Sequence, residues 1–328
     1  MTSRHFNIAV VMATFRRPEM LLRCLGCLAK QTVPSSLFEV IVVSDGPDES
    51  TEKSIASFTL RHPGMHLRFC ALPVKSGPAA ARNAGWQFAD AQLIAFTDDD
   101  CMPSETWLEN YLNAAKEAEA NFAFTGQVVV PVPNLPTDYE KNIAGLETAD
   151  FVTANCCCPK HILKQVGGFD TRFEAAWRED SDLHFNLLKN GVKLQKIDNA
   201  VVVHPVRPAP WGVSLREQKK SMFNALLFKK HPAYYRQLIA AGPVWRYYMI
   251  ILSFLLAVIA FTGGANTAGT LFLILWLSGV LRFMFLRLNG TAKTPSHVAE
   301  MFVTSLIIPF TSIFWTLYGS MKYKVLFL

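Results

Sequence analysis

Apolar runs of strand length alternate with helix-patterned stretches through the first third of the chain. The strand-like runs cover residues 6–14, 38–46, 66–73 and 91–96. Between them a helix is predicted from Pro18 onward, where leucines recur at helical spacing, and further helices are predicted over 49–62 and 78–89. Strands that alternate with helices indicate an α/β fold with a Rossmann-like, mainly parallel sheet flanked by helices.

The middle of the chain continues this pattern less regularly. Residues 121–131 predict a strand, and 134–151 predict a polar loop with a short helix. A further helix is predicted over 179–189, followed by a last strand over 193–205 that ends at His204. We therefore expect one α/β domain that ends near residue 206.

Polar side chains follow three of the predicted strands at the point where each strand ends. Thr14 and Arg16 follow the first strand, Asp45 the second, and the aspartates 98–100 the fourth. Ligands of parallel α/β sheets bind outside the carboxyl ends of the strands. We expect these side chains to share one edge of the sheet and to form a binding site there.

The last third of the chain is apolar. It holds three stretches that approach the roughly 20 residues needed to span a bilayer, at about 246–263, 268–287 and 299–319. The first two are joined by the short uncharged sequence GGANTA and predict a helical hairpin. We expect three spans. A re-entrant or interfacial third stretch is the alternative, because a third span would place Lys322 and Lys324 outside.

Charge is concentrated just before the apolar region. Residues 207–246 contain eight Lys or Arg and one acid, and 212–230 have the pattern of an interfacial amphipathic helix, with a surface helix as the alternative. We predict a soluble domain over 1–206, a membrane-interface segment over 207–245 and a transmembrane region over 246–328. The soluble domain is expected to face the cytoplasm at the cell (inner) membrane, and nucleic-acid binding is not expected because that domain is acidic.

The seven cysteines do not form a disulfide pattern. Their number is odd and three are consecutive, at positions 156–158, so we expect reduced thiols. Cys24 and Cys27 have C-x-x-C spacing but no second such pair, which argues against zinc. The amino-terminal sequence shows no pattern of a signal peptide.

The sequence FTDDDCMP, residues 96–103, is the strongest chemical signal in the chain. Adjacent carboxylates repel one another and are favourable at a strand end when a cation neutralises them. Mg²⁺ and Mn²⁺ prefer such oxygen ligands and often bind together with phosphates. The motif therefore predicts a divalent-metal site for a phosphorylated ligand, and an acidic loop that caps the next helix is the alternative.

Four motifs occur in order between residues 6 and 205. They are VVMATFRRPEMLLRCLGCLAKQT, VIVVSDGPDEST, GPAAARNAGWQFADAQLIAFTDDDCMP and TANCCCPKHILKQVGGFDTRFEAAWREDSDLHFNLLKNG. Together they resemble the family 2 glycosyltransferases, which have the GT-A fold. The resemblance implies transfer of a sugar from a nucleotide-sugar donor, with a UDP-sugar favoured and Mn²⁺ or Mg²⁺ as the cofactor.

The resemblance also implies roles for the residues that match the family's nucleotide-binding motifs. Thr14 and Phe15 match the nucleotide-contacting turn after the first strand. Asp45 matches the acid that contacts the base, and Arg82 lies in a segment near the nucleotide. Arg16 is expected to contact phosphate or base, although it and Arg82 are also compatible with surface charges.

Further positions match the metal and catalytic motifs. Asp98 and Asp100 match the outer positions of the family's D-x-D motif, and the last aspartate typically binds the metal. Asp99 fills the middle position and is expected to contact the donor. His204 matches a histidine that can complete the metal site. Asp180 matches the catalytic base, although acids there also suit a helix amino terminus.

We place Asn155, Trp177 and Glu179 at the acceptor side, where Trp177 is suited to stack on a sugar or to pack in the core. Displacement with a single base would invert the anomeric centre. Processive synthases of the family carry Q-x-x-R-W, and the nearest match, EQKKSMF at 217–223, lacks Arg-Trp. Transfer of one sugar to a lipid-linked or glycolipid acceptor is therefore expected.

Two other classes of protein share parts of this pattern. A catalytically silent nucleotide-sugar-binding or scaffolding subunit would keep the fold, but the intact aspartates 98–100 and Asp180 argue against it. A nucleotidyltransferase would carry a Gly- and Arg-rich loop with Lys after the first strand, and ATFRRPE differs from that. The sequence leaves open whether the apolar helices form a homo-oligomer.

Overall fold

The computed structural model describes residues 6–327, and between them the chain forms an eight-stranded sheet. In chain order its strands are β1 Ile8–Thr14, β2 Phe38–Ser44, β3 His66–Ala71, β4 Leu93–Phe96, β5 Met102–Pro103, β6 Phe122–Val129, β7 Cys156–Pro159 and β8 Lys193–Val203. Their spatial order is β3-β2-β1-β4-β7-β6-β8-β5. Strands β3, β2, β1 and β4 are parallel, as are β6 and β8, whereas β7 is antiparallel to both of its neighbours and β5 to β8. The expected mainly parallel α/β sheet is confirmed.

Helices lie between and after the strands. In chain order they are α1 Pro18–Leu28, α2 Glu49–Arg61, α3 Pro78–Phe88, α4 Trp107–Glu117, α5 Asp138–Ala144, α6 Lys160–Val166, α7 Glu179–Lys189, α8 Val213–Glu217, α9 Met222–Lys230, α10 Pro232–Leu238, α11 Trp245–Thr262, α12 Asn266–Leu288 and α13 Pro295–Tyr323. Residues 134–151 contain the expected short helix, α5, which continues into a 3₁₀ turn at Gly145–Thr148.

The core of the α/β region lies between the sheet and the helices α3, α6 and α7. Strand β1 is buried on both faces, as central parallel strands are. Gly85 lets α3 approach the sheet closely, because a Cβ at that position would clash with Val11. This packing fixes the carboxyl ends of β1, β2 and β4 side by side, and the polar residues after them therefore share one edge.

The chain divides into two compact units. The first comprises residues up to Pro131 together with Ala144–Val206, and the second comprises Val132–Ile143 and the chain from Arg207 onward. Residues Val132–Ile143, which the predicted soluble domain 1–206 includes, belong to the second unit. Residues 1–5 and 328, which the predicted domain ranges include, lie outside the described residues.

Within the described residues, three helices of the second unit are long and apolar enough to cross a membrane: α11, α12 and α13. Helices α11 and α12 form the expected hairpin. They approach closely where Gly269 lies against the Phe261 ring, which is the small-residue packing that membrane helices use. Exposed apolar side chains cover both helices, as lipid-facing surfaces require.

A buried ion pair ties the internal segment of the second unit to its helices. Arg287 on α12 donates to Asp138 Oδ2 at 2.7 Å and to Thr304 Oγ1 on α13 at 2.6 Å. The same guanidinium reaches Ser214 on α8 at 3.1 Å. One arginine therefore joins four chain segments. Removal of its partners would leave a buried cation unpaired, which is costly.

Candidate active site

The turn after β4 is joined to the turn after β1 by buried polar contacts. The Thr14 hydroxyl donates to Asp99 Oδ2 at 2.7 Å, and Arg17 lies 3.2 Å from Asp99 Oδ1. Burial raises the pKa of Asp99 to about 6, against the opposing effects of Arg17 and Thr14. Asp99 and Thr14 thus hold the two turns together, and both side chains are almost inaccessible to solvent.

Arg82 on α3 bridges two carboxylates at this edge. Its guanidinium donates to Asp98 Oδ1 at 2.7 Å and to Glu179 Oε1 at 3.1 Å, and its side chain is 4% exposed. The proximity of both acids keeps the guanidinium charged and raises its pKa despite the burial. The structure thus gives Arg82 a place inside the site and argues against the surface-charge alternative. It positions the first aspartate of the D-x-D sequence relative to the start of α7.

A cluster of metal-ligand types lies beside this bridge. One ligand atom each from Asp98, Asp100, Cys101 and His204 lies within 4.8 Å of the others. His204 Nε2 is 3.8 Å from Asp100 Oδ1, and its buried Nδ1 has no hydrogen-bond partner among the described residues. Two carboxylates and an imidazole suit Mn²⁺ or Mg²⁺, and a thiol adds a soft ligand. The donor set fits a divalent cation, and Cys101 is the member that the sequence reasoning missed.

Asp180 lies in the first turn of α7, next to Glu179. Its Oδ1 accepts from the Ser181 backbone N–H at 2.6 Å. Burial is the main cause that raises the pKa of Asp180 above its ordinary value. Burial, followed by the nearby Asp180 carboxylate, raises the pKa of Glu179 to about 7. The two carboxyls differ in their surroundings, because Glu179 is paired with Arg82 and Asp180 remains partly accessible.

The residues just before α7 present an exposed aromatic ring. Trp177 is 40% exposed, and the Arg178 guanidinium lies 4.7 Å from its ring centroid. Arg178 has φ 75°, a left-handed conformation that is uncommon outside glycine and that clusters at functional sites. The exposure of Trp177 argues against the core-packing alternative and leaves its ring available for stacking.

The turn after β1 carries an aromatic ring that lies close to two cations. The Arg16 guanidinium lies 5.0 Å from the Phe15 ring centroid, and the Lys75 ammonium lies 4.6 Å from the same centroid. Arg16 also adopts a left-handed φ of 54°, and its backbone N–H donates to Asp48. Lys75 was not identified from the sequence, although it is exposed in the loop that follows β3 and is suited to contact a phosphate.

Asp45 organises the loop that precedes α3. Its Oδ1 accepts from the backbone N–H groups of Ser76 at 2.7 Å and Gly77 at 2.8 Å. Gly77 has φ 93°, and a Cβ there would lie 2.6 Å from the Glu174 carbonyl oxygen, so only glycine fits. Asp45 therefore fixes the start of α3, and a contact with the nucleotide base stays a prediction.

Asn155 has a different place from the one expected at the acceptor side. Its Oδ1 accepts from Trp107 Nε1 at 2.8 Å and from the Tyr111 hydroxyl at 2.6 Å. Its Nδ2 donates to the carbonyl oxygens of Gln127 and Ala200. The side chain is fully buried and its hydrogen-bonding groups are used, so the structure argues against an acceptor contact by Asn155.

The fold and the site together define a class of protein. The sheet is mixed and mostly parallel, and the acidic cluster at its carboxyl edge lies beside the adjacent carboxylates of Glu179 and Asp180. The sequence matches the family described as Glycosyl transferase family 2 over residues 9–175, and Glycosyl transferase family group 2 over residues 94–318. The chain belongs to glycosyl transferase family 2.

Curated relatives are glycosyltransferases of different sizes. Glycosyltransferase AglE of Haloferax volcanii is 24% identical over 66% of this chain and 72% of that protein. The hyaluronan synthase of Pasteurella multocida is 23% identical over 72% of this chain but 28% of that protein. The chondroitin synthase of Escherichia coli is 22% identical over 70% of this chain and 39% of that protein. This chain therefore corresponds to less than half of each synthase.

Solved structures share the fold. The mannosyltransferase PcManGT from Pyrobaculum calidifontis, in complex with GDP-Man and Mn²⁺, aligns with a TM-score of 0.56 at 15% identity, covering 98% of this chain and 88% of that chain. S. aureus TarS 1–349 in complex with UDP aligns with a TM-score of 0.50 at 15% identity, covering 92% and 91%. At this identity the likeness shows the GT-A fold alone.

Proposed function

We propose that this protein is a membrane-anchored, metal-dependent glycosyltransferase that moves one sugar from a nucleotide-sugar donor to a lipid-linked or glycolipid acceptor, with inversion at the anomeric carbon. The observation that carries the proposal is the Arg82 bridge, which joins Asp98 of the candidate metal cluster to Glu179, the neighbour of Asp180. Buried hydrogen bonds thereby connect the residues assigned to the sugar donor with those assigned to the base.

The donor diphosphate is assigned to the carboxyl edge of β1, β2 and β4. Asp98, Asp100 and His204, with Cys101 in reach, would hold Mn²⁺ or Mg²⁺. A bound divalent cation supplies Lewis-acid neutralisation of the leaving diphosphate. Arg16 in the turn after β1 and Lys75 in the loop after β3 are exposed cations near the Phe15 ring, and we assign them to contacts with the nucleotide or its phosphates.

Asp180 is assigned as the general base. A base must be ionised and within hydrogen-bond reach of the acceptor hydroxyl, and a pKa raised toward neutrality makes it a better proton acceptor. Glu179 is less suited, because its carboxylate is committed to Arg82 in a buried ion pair. Glu179 then acts as a positioning residue, and the exposed Trp177 ring can stack on a sugar.

Membrane attachment follows from the second unit. Its apolar helices and the basic segment before them, residues 207–245, support attachment to an anionic leaflet. We propose that the catalytic unit lies on the cytoplasmic side of the cell membrane, as the positive-inside tendency favours. An acceptor that is itself held in the membrane is the partner that such an enzyme meets most often. The missing Arg-Trp of the Q-x-x-R-W pattern supports transfer of a single sugar.

The test is donor turnover by the purified full-length protein in detergent. UDP-, GDP- and dTDP-sugars are supplied with Mn²⁺ or Mg²⁺, and nucleotide release is measured with and without a chelator. We favour a UDP-sugar, and the GDP sugars belong in the panel because one structural neighbour holds GDP-Man. With a membrane lipid extract supplied as the acceptor, proton coupling constants in the NMR spectrum of the glycoside product report its anomeric configuration. A product that retains the donor configuration would contradict the single-base displacement.

Matched variants separate the site from the scaffold. Asp180→Asn and Asp100→Ala are expected to lose turnover, whereas Asp198→Asn, which removes an exposed aspartate on β8, is expected to retain it. Metal-dependent release from one donor would identify the sugar. If a donor binds with metal but none is turned over with an acceptor present, the chain is a silent binding subunit. If no donor binds in the presence of metal, the proposed activity is wrong and a scaffolding role is favoured.

A further inference from the structure

Helix α13 is held at its start by polar segments that belong outside a bilayer. Glu300 Oε1 accepts from the Gly212 backbone N–H, at the beginning of α8, at 2.7 Å. Just before the helix, the Ala292 backbone N–H donates to the Pro136 carbonyl oxygen at 2.8 Å. The start of α13 is therefore fixed to both the internal segment Val132–Ile143 and the basic segment.

The second half of α13 packs along the same basic segment. The Lys219 ammonium lies 5.7 Å from the Trp315 ring centroid. A Cβ at Gly319 would clash with the Met222 carbonyl oxygen, so α13 and α9 touch backbone to backbone. At the end of the helix, Lys229 Nζ donates to the Tyr323 carbonyl oxygen at 2.7 Å.

These contacts place two parts of the chain side by side over most of their lengths. From Glu300 to Tyr323, α13 extends about 35 Å at 1.5 Å per residue, which exceeds the roughly 30 Å thickness of a hydrocarbon core. Residues 212–229 accompany it along most of that distance. If α13 stood across the bilayer, this companion segment would stand across it too.

The companion segment is too polar to cross. It carries Arg216, Glu217, Lys219, Lys220 and Lys229, and charged side chains in a bilayer are rare and costly unless they line a protein interior. A basic stretch beside apolar residues belongs at the boundary between headgroups and acyl chains, where its charges meet anionic lipid. Since α13 shares its direction, α13 belongs at that boundary as well.

The packing of α13 on the hairpin agrees with this direction. Met301 packs with Met284 and Leu288, near the end of α12 where the chain leaves the hairpin. Ile308 packs with Ile250 near the start of α11. The first half of α13 thus contacts the base of the hairpin, and the second half continues along the basic segment.

We infer that α13 does not span the membrane: it lies in the interface with the basic segment, and the hairpin of α11 and α12 alone crosses the bilayer. This inference rests on the proposed membrane attachment. On the second half of α13 the exposed side chains of Phe314, Leu317 and Met321 belong to the face that enters the leaflet. Lys322 and Lys324 then lie on the same side as the basic segment, as the positive-inside tendency favours.

The first test is the side of the membrane on which three introduced cysteines lie. Asn142→Cys reports the internal segment, Ala265→Cys reports the hairpin tip and Leu326→Cys reports the chain end after α13. All three positions are exposed. Each full-length variant is expressed in cells and labelled with a membrane-impermeant maleimide before and after permeabilisation, and the unsubstituted protein measures labelling of the native thiols.

We expect residues 142 and 326 to label from one side and residue 265 from the other. Labelling of 326 together with 265 would overturn the inference and establish three spans, while membrane attachment would stand. Labelling of all three from one side would overturn both the hairpin crossing and the inference. The two claims therefore fail in different ways.

The second test measures depth in anionic lipid vesicles. Spin labels at residues 314, 317 and 321 report α13, and labels at residues 271, 275 and 278 on α12 are the matched control, since both sets are exposed and extend over seven residues. Collision with oxygen and with a water-soluble nickel chelate gives the depth of each label. We expect similar depths on α13 and a change of about 10 Å along α12. An equal gradient in both sets would overturn the interfacial placement.

Discussion

Replacement of Arg82 by methionine removes the charge of the bridge and retains an unbranched side chain. The guanidinium makes hydrogen bonds of 2.7 Å to Asp98 and 3.1 Å to Glu179. Removal of one partner from a buried ion pair costs about 3–5 kcal/mol, mainly because the other charge stays buried. Asp98 is 25% exposed and regains hydration, whereas Glu179 is 4% exposed, so most of the cost arises at Glu179.

A loss of this size is visible in thermal unfolding. For a domain of 150–250 residues, 1 kcal/mol shifts Tm by roughly 2–4 °C, so we expect Arg82→Met to lower Tm by roughly 6–20 °C. The control is Arg172→Met, which removes a guanidinium that pairs with Asp170 and is 57% exposed, and surface pairs contribute about 0–1 kcal/mol. Both variants are compared with the unsubstituted protein by scanning fluorimetry in one detergent.

The double variant Arg82→Met/Glu179→Leu checks the cause. If an unpaired Glu179 carboxylate is the main cost, replacement of both partners by apolar side chains recovers part of the lost Tm. If Arg82→Met shifts Tm no more than Arg172→Met does, the bridge contributes little and the reasoning is refuted.

Three further predictions concern pH, metal and the core. Glu179 has a pKa of about 7, so it becomes neutral as the pH falls through that value and its ion pair with Arg82 is lost. Turnover is therefore expected to decrease below about pH 7. A pH profile of turnover that decreases only near the ordinary carboxylate pKa of about 4 would contradict this. Co²⁺ added to the protein is expected to give a thiolate-to-cobalt charge-transfer band, because Cys101 belongs to the metal cluster. The band should disappear in Cys101→Ser and persist in Cys27→Ser, which lies outside the cluster. A band that persists in Cys101→Ser would exclude that thiol as a ligand. Asn155→Ala is expected to cost about 2–5 kcal/mol of stability, because the Trp107 N–H and the Tyr111 hydroxyl lose their acceptor. The KM for the nucleotide sugar is expected to stay unchanged in the folded fraction. A changed KM with an unchanged Tm would support a binding role for Asn155.

The sequence predicts the regular half of the α/β unit well, because its strands are buried runs separated by amphipathic helices. It does not predict β7, whose four residues include three cysteines and a proline and carry no strand pattern. It also misses β5, which is two residues long and exists through pairing with β8. Both strands are antiparallel, and their pairing depends on tertiary contacts that no local pattern records.

The sequence places several site residues at the correct edge, because chain order fixes which turns follow parallel strands. Side-chain orientation is a different matter. Asn155 lies in the motif that precedes β7 but faces the interior, where α4 supplies its partners. Cys101 joins the metal cluster through the turn after β4, and its adjacency to the aspartates was the available signal. The bridge made by Arg82 could not be predicted, because the sequence does not show which acids lie around its guanidinium.

The most direct test of the proposed mechanism measures donor binding and donor turnover together in two variants. Asp180→Asn is expected to bind the donor with metal as the unsubstituted protein does and to lose turnover by roughly 10²–10⁴-fold, the contribution of a general base. Asp100→Asn is expected to lose metal-dependent donor binding as well as turnover. This separation would assign the metal–nucleotide site to the carboxyl edge of the sheet and the proton transfer to α7. Full turnover by Asp180→Asn, or unchanged metal-dependent donor binding by Asp100→Asn, would contradict the account.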